Sequence, residues 1–148
     1  MKKLLVVLCV LVLLALSLPV TNLVVGPPTG TSLARKAAAN RELQSVAPIF
    51  ERKCVNCHAP EHRLPFYARF PVARGIIEKD IADGTRALDL EAALFPAGPK
   101  PVPEVALAKI EHTTRERSMP PFRYLALHWD GALGAAERQA ILTWVGET

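Results

Sequence analysis

The chain has 148 residues, half of them hydrophobic, only 6% aromatic, and a formal net charge of +4. Lys2 and Lys3 belong to an apolar leader, and setting them aside leaves +2 on the remainder. This is too little, and too evenly mixed with acidic residues, for nucleic-acid binding. Three cysteines, one of them (Cys9) inside the leader, rule out a disulfide framework. What remains after the leader is one domain's worth of chain, able to bury a core but not a generous one.

Met1-Lys2-Lys3 followed by Leu4 to Leu18 has the form of an export signal, with a positive start and an apolar run. The apolar run resumes at Leu23-Val24-Val25, and counted that far it is long enough to cross a bilayer. Residues 1–25 therefore read as a signal peptide or an uncleaved membrane anchor. Ala15 and Ser17 offer a processing site, and the two lysines keep the N-terminus cytoplasmic in either case. Cys9 comes too early, and without a small residue before it, to be a lipoprotein cysteine. Residues 26–44 read as a linker and N-terminal extension. Gly26-Pro27-Pro28-Thr29-Gly30-Thr31-Ser32 reads as a linker expected to hold the following domain, residues 45–148, off the membrane.

A helix is predicted from Ser45 as N-cap, with Pro48 in its first turn and Ile49, Phe50 and Cys54 on one face. It leads into Cys54-Val55-Asn56-Cys57-His58, the C-x-x-C-H signature of covalent haem attachment. The two thiols form thioethers with the haem vinyl groups, and the adjacent imidazole reaches one axial face of the iron. Competing uses of the cysteines fare worse. A zinc site needs two more soft ligands at a matching spacing, whereas His62, His112 and His128 lie at irregular distances. A thioredoxin-like site needs a βαβ pattern that is absent around the motif.

Ala59 to Pro71 carries several loop signals. A helix is predicted over 72–83, closed by Gly84 as C′, with Ile76, Ile77 and Ile81 as its buried stripe. Pro96 to Pro103 reads as a loop. A helix follows from about Pro103, with Val105, Leu107 and Ile110 on its apolar face, and stops before Met119-Pro120-Pro121. A last helix runs over 135–145 with Ala140, Ile141, Trp144 and Val145 on one face. No strand alternation persists, and C-x-x-C-H occurs once. The expectation is an all-α, small cytochrome c-like domain around one covalent haem, preceded by an N-terminal hydrophobic helix.

Met119 is the candidate for the second axial position. Thioether sulfur suits haem iron, Pro120 holds Met119 extended, and Pro121 stiffens the loop. His128, in the apolar stretch 124–129, is the alternative ligand. It reads first as a structural histidine, and it could also bond a haem propionate or cap a backbone carbonyl. His62 and His112 sit among charged residues and look solvent-facing.

These residues resemble a family of small haem-binding domains of bacterial membrane-anchored monohaem c-type cytochromes. The resemblance rests on Pro27-Pro28, Cys54 to His58, Pro65-Phe66-Tyr67, Pro71, Asp80 with Gly84, Met119-Pro120, Tyr124 with His128, and Trp144. It runs from the linker to the C-terminus. Leu88-Asp89-Leu90-Glu91-Ala92 replaces the Asn-Phe-Ser-rich segment usual in such domains, and Trp129 stands where a proline often follows the histidine. The resemblance implies one covalent haem c with its iron. It places the chain at the periplasmic side of the inner membrane, or free in the periplasm if the leader is cleaved.

The function expected is electron transfer with transient redox protein partners and no enzymatic role. His58 is the proximal ligand and Met119 the distal one. The rival readings, a haem-based gas or redox sensor and a small peroxidase, need an open distal site.

Overall fold

The computed structural model describes residues 2–25, 33–37, 40–59, 64–96 and 100–148. The linker over 26–32, with Pro27 and Pro28, and His62 lie outside them. Among the described residues every regular element is helical. Helix α1 (Lys2–Val25) takes in the whole apolar run. Its hydroxyls are turned inward: Ser17 Oγ donates to the Leu14 carbonyl (2.7 Å) and Thr21 Oγ1 to that of Ser17 (2.6 Å). This lets polar residues sit in a helix long and apolar enough to cross a membrane.

Two short helices follow, α2 (Leu33–Ala37) and α3 (Arg41–Gln44), and Leu33, Ala37 and Leu43 are buried in the core of the domain. The predicted N-cap is displaced. Asn40 caps α3, accepting the Glu42 amide on its side chain (3.0 Å), and Ser45 is the C-terminal cap of α3. Helix α4 (Ala47–Lys53) starts after Val46 with Pro48 in its first turn. Val46 is fully buried, so burial rather than side-chain capping sets this start.

At Cys54 the backbone leaves helical values (φ −121°, ψ −41°) and re-enters a short turn, α5 (Val55–His58). A 3₁₀ turn (Phe66–Arg69) then leads into α6 (Pro71–Ala87). The predicted cap at Gly84 gives way to a different role. Helix α6 continues through Gly84 because it presses there against α5: a β-carbon on Gly84 would lie 2.3 Å from the Cys57 carbonyl oxygen. The predicted stripe is also corrected. Ile76 is exposed and Ile77 and Ile81 half-buried, because α6 turns this face toward a cavity rather than the core.

Helix α7 (Leu90–Leu94) occupies a segment with no predicted element. The Asp89 carboxylate caps it, accepting the Ala92 amide at 2.9 Å, and Leu90 and Leu94 enter the core. Helix α8 (Glu104–Glu116) buries Ala106, Ile110 and Thr114 and packs Leu107 against the core; Ile110 and Leu107 face inward as predicted, while Val105 points to solvent. Arg117, in the left-handed region (φ 53°), ends α8 and turns the chain toward Met119. Helices α9 (Phe122–Leu125) and α10 (Ala135–Glu147) complete the domain. Ile141 and Trp144 on α10 are buried as expected, and Trp144 meets Phe50 edge to face, with ring centroids 5.5 Å apart.

Candidate haem site

The C-x-x-C-H turn opens onto an apolar cavity of about 280 Å³. Cys54, Cys57 and His58 line one part of it, and Phe50, Leu90, Ile110 and Ile141 supply walls from α4, α7, α8 and α10. Met119, delivered by the left-handed turn after α8, lies on the same cavity with Pro120 and Pro121 beside it. It is 43% exposed, so its sulfur is not committed to the protein core. Residues 54–58 and 119, far apart in the chain, are thus brought to one chamber.

Hydrogen bonding selects the tautomer of His58. Its Nδ1 lies 3.0 Å from the Leu88 carbonyl oxygen, and a carbonyl can only accept. Nδ1 therefore carries the proton, and Nε2 keeps a free lone pair, the state a metal-binding imidazole needs. Leu88 is positioned by the end of α6, whose last turn bonds the Leu88 amide to Gly84. The close approach of Gly84 to Cys57 thus serves the histidine as well.

Burial pushes the Cys54 thiol up to about 12, with the neighbouring Cys57 adding to the effect. Burial, with help from Asp80, raises Cys57 too. Neither Cys54 nor Cys57 is in a disulfide. The set of two thiols, one available imidazole nitrogen and one thioether around an apolar chamber fits a haem. Among the described residues no cluster of three or more His, Cys, Asp or Glu side chains could hold a metal ion by itself.

His128 is placed elsewhere. It lines a second cavity of about 330 Å³ together with Tyr67, Ile76, Ile77, Asp80 and Arg123. Its Nδ1–H donates to the Tyr124 carbonyl (3.0 Å), and its Nε2 accepts the Tyr67 hydroxyl (3.0 Å). Its ring stacks on Tyr124 with centroids 3.9 Å apart. Burial holds the imidazole below its ordinary pKa of 6.5. Tyr124, Asn56 and Cys57 border both cavities and form the partition between them, with Asn56 Nδ2 donating to the Tyr124 hydroxyl at 3.2 Å. His112 is exposed, as its neighbours suggested.

Cys54, Cys57, His58 and Met119, singled out in the sequence, line one cavity; the Leu88 carbonyl and the Tyr67–His128 pair were not singled out. A backbone acceptor leaves no mark on side-chain pattern. The Tyr67–His128 contact spans 61 residues.

The chain is 40% identical over 100 residues to the cytochrome c peroxidase Ccp of Escherichia coli K12. The match covers 66% of this chain and 21% of that protein, so the chain spans about a fifth of its relative's length. No solved structure matches. The relative is named for an enzyme, which overturns the expectation of a carrier with no enzymatic role. Haem-based redox function is the common ground between the relative and the site. The haem-binding domain family matches residues 20–147, nearly the whole chain, and this protein belongs to that family.

Proposed function

We propose that this chain is a c-type haem domain, held by α1 at the periplasmic face of the inner membrane, that passes electrons in peroxide-reducing chemistry. The observation that carries the reading is the meeting of Cys54, Cys57, His58 and Met119 on one apolar cavity. Cys54 and Cys57 would hold a single haem through one thioether each. When bound, that haem supplies one-electron exchange between ferric and ferrous iron. His58, oriented by Leu88, presents Nε2 as the proximal ligand. Met119, on the same cavity, would be the second ligand of a bound haem, and its thioether would raise the potential relative to a second histidine and close the iron to small molecules. Both nitrogens of His128 are engaged in hydrogen bonds, which favours Met119 over His128.

The peroxide connection comes from the relative's name. In this reading, the domain is the electron-delivering part of a peroxide-reducing enzyme and passes electrons on to the peroxide-reducing centre. A second reading is favoured by the partial exposure of Met119: Met119 would leave a bound haem open to peroxide, and the haem would supply the reduction itself.

Met119→Ala separates the two. The carrier reading expects wild-type ferrous protein to ignore carbon monoxide, and the variant to bind it and to have a lower potential. An unchanged spectrum and potential in the variant would remove Met119 from the iron. Carbon monoxide binding and peroxide turnover by the isolated wild-type chain would favour the second reading.

A further inference from the structure

The end of α1 does not hang free of the haem domain. Pro19 and Asn22 are buried, although the rest of the helix is largely exposed. Asn22 Nδ2 donates to the Leu127 carbonyl (2.9 Å), and its side chain is also a hydrogen-bond partner of the Tyr67 hydroxyl. An amide in an apolar helix is costly at membrane depth unless paired, and here its partners come from the domain.

Helix length sets the depth of this contact. A bilayer core needs about 20 helical residues at about 1.5 Å each. Counted from Leu4, that reach extends to about Leu23. The domain already touches the helix at Pro19 and Asn22, within that reach. The surface around Tyr67 and Leu127 must then lie at the level where hydrocarbon gives way to headgroups.

The side chains around that contact are of the kind a lipid surface takes. Phe66, packed edge to face on Tyr67, is exposed. Phe70 is 64% and Val72 78% exposed, and Ile76 and Trp129 are exposed as well. Ile76 borders the same cavity as Tyr67 and Leu127. Arg69 and Arg74 lie in the same stretch with exposed side chains, Arg74 paired with Glu78 at 2.7 Å, the kind of basic residue that accompanies apolar groups at a headgroup boundary.

We infer that the haem domain lies on the bilayer crossed by α1, seated through the 3₁₀ turn and first turns of α6 (Phe66, Phe70, Val72, Ile76) with Trp129 beside the docking point of α1. The occupant of this apolar face is the lipid surface. The inference rests on α1 being retained as an anchor.

The test uses the full haem-loaded chain in vesicles of phosphatidylcholine and phosphatidylglycerol. One nitroxide label is placed at Val72→Cys and a control label at Gln139→Cys, exposed on α10, both in a Cys9→Ala background. After flotation, relaxation by oxygen and by a water-soluble nickel chelate reports depth. The expected result is a label at 72 relaxed mainly by oxygen and protected from nickel at least several-fold relative to 139. A chain that floats with its label at 72 as open to nickel as the control overturns the seating alone. A chain that stays in the aqueous fraction overturns both the anchor and the seating.

Discussion

Cys57 carries several constraints at once. Its carbonyl meets Gly84, its side chain faces the haem cavity, and it also borders the second chamber. Cys57→Ala, expressed with the maturation machinery, should lose one of two thioethers. In denaturing mass spectrometry the fraction of chain carrying haem should then fall severalfold, and full retention would show that Cys57 does not hold the group. Gly84→Ala tests the same contact from the other side. With 2.3 Å to a backbone oxygen and no flexible side chain to yield, α6 must move. The expected cost is about 1–3 kcal/mol of stability, read by denaturant unfolding, with a disturbed His58 environment because Leu88 moves with the helix.

His128 gives a pH prediction at the same scale. Its imidazole is held below 6.5 in the folded chain, so the unfolded chain takes up that proton first as pH falls. The contribution to stability is fully present above the unfolded value. It declines as pH drops through about 6.5 and levels off once the folded histidine also protonates. Between pH 7.5 and 5 the melting temperature of wild type should fall more than that of His128→Asn. Equal slopes would contradict the assignment.

At the scale of elements, sequence pattern found the long helices better than the short ones. Helices α8 and α10 are long enough to show periodicity, and α10 buries the predicted Ile141 and Trp144. In α8 the predicted Leu107 and Ile110 face the core and the predicted Val105 does not. Ala106 and Thr114 carry little hydrophobic signal, yet with Ile110 they face inward, and the bulkier Val105 faces water. Ile110→Ala should therefore cost about 2–5 kcal/mol. Val105→Ala should change stability by only about 0.5 kcal/mol. Denaturant midpoints that reverse this order would restore the predicted face. Helices α2, α3, α7 and α9 span too few residues to display a period, and the positions of α2, α3 and α7 follow from tertiary burial of Leu33, Leu43, Leu90 and Leu94. The isoleucines of α6 were misassigned for a related reason: an apolar stripe looks the same whether it faces a core or a cavity.

For the whole molecule, the chemistry was legible because it is encoded locally. C-x-x-C-H needs five adjacent residues and a Met-Pro-Pro loop needs three, so neither depends on knowing the fold. What the fold adds is convergence: the left-handed turn at Arg117 brings Met119 to the cavity on which His58 lies, and the end of α6 fixes the tautomer of His58. The relation between anchor and domain was not legible, since Asn22 reads in sequence only as a weak interruption of an apolar run. In the fold it is the point where that helix is tied to Leu127 and Tyr67.

The central claim is that one covalently held haem is bound by His58 and Met119. The most direct measurement is the optical spectrum of the exported protein, oxidised and reduced, with and without carbon monoxide. The account predicts a low-spin c-type spectrum, a methionine–iron charge-transfer band in the oxidised form, and no response to carbon monoxide in the reduced form. A high-spin spectrum that shifts with carbon monoxide would contradict it.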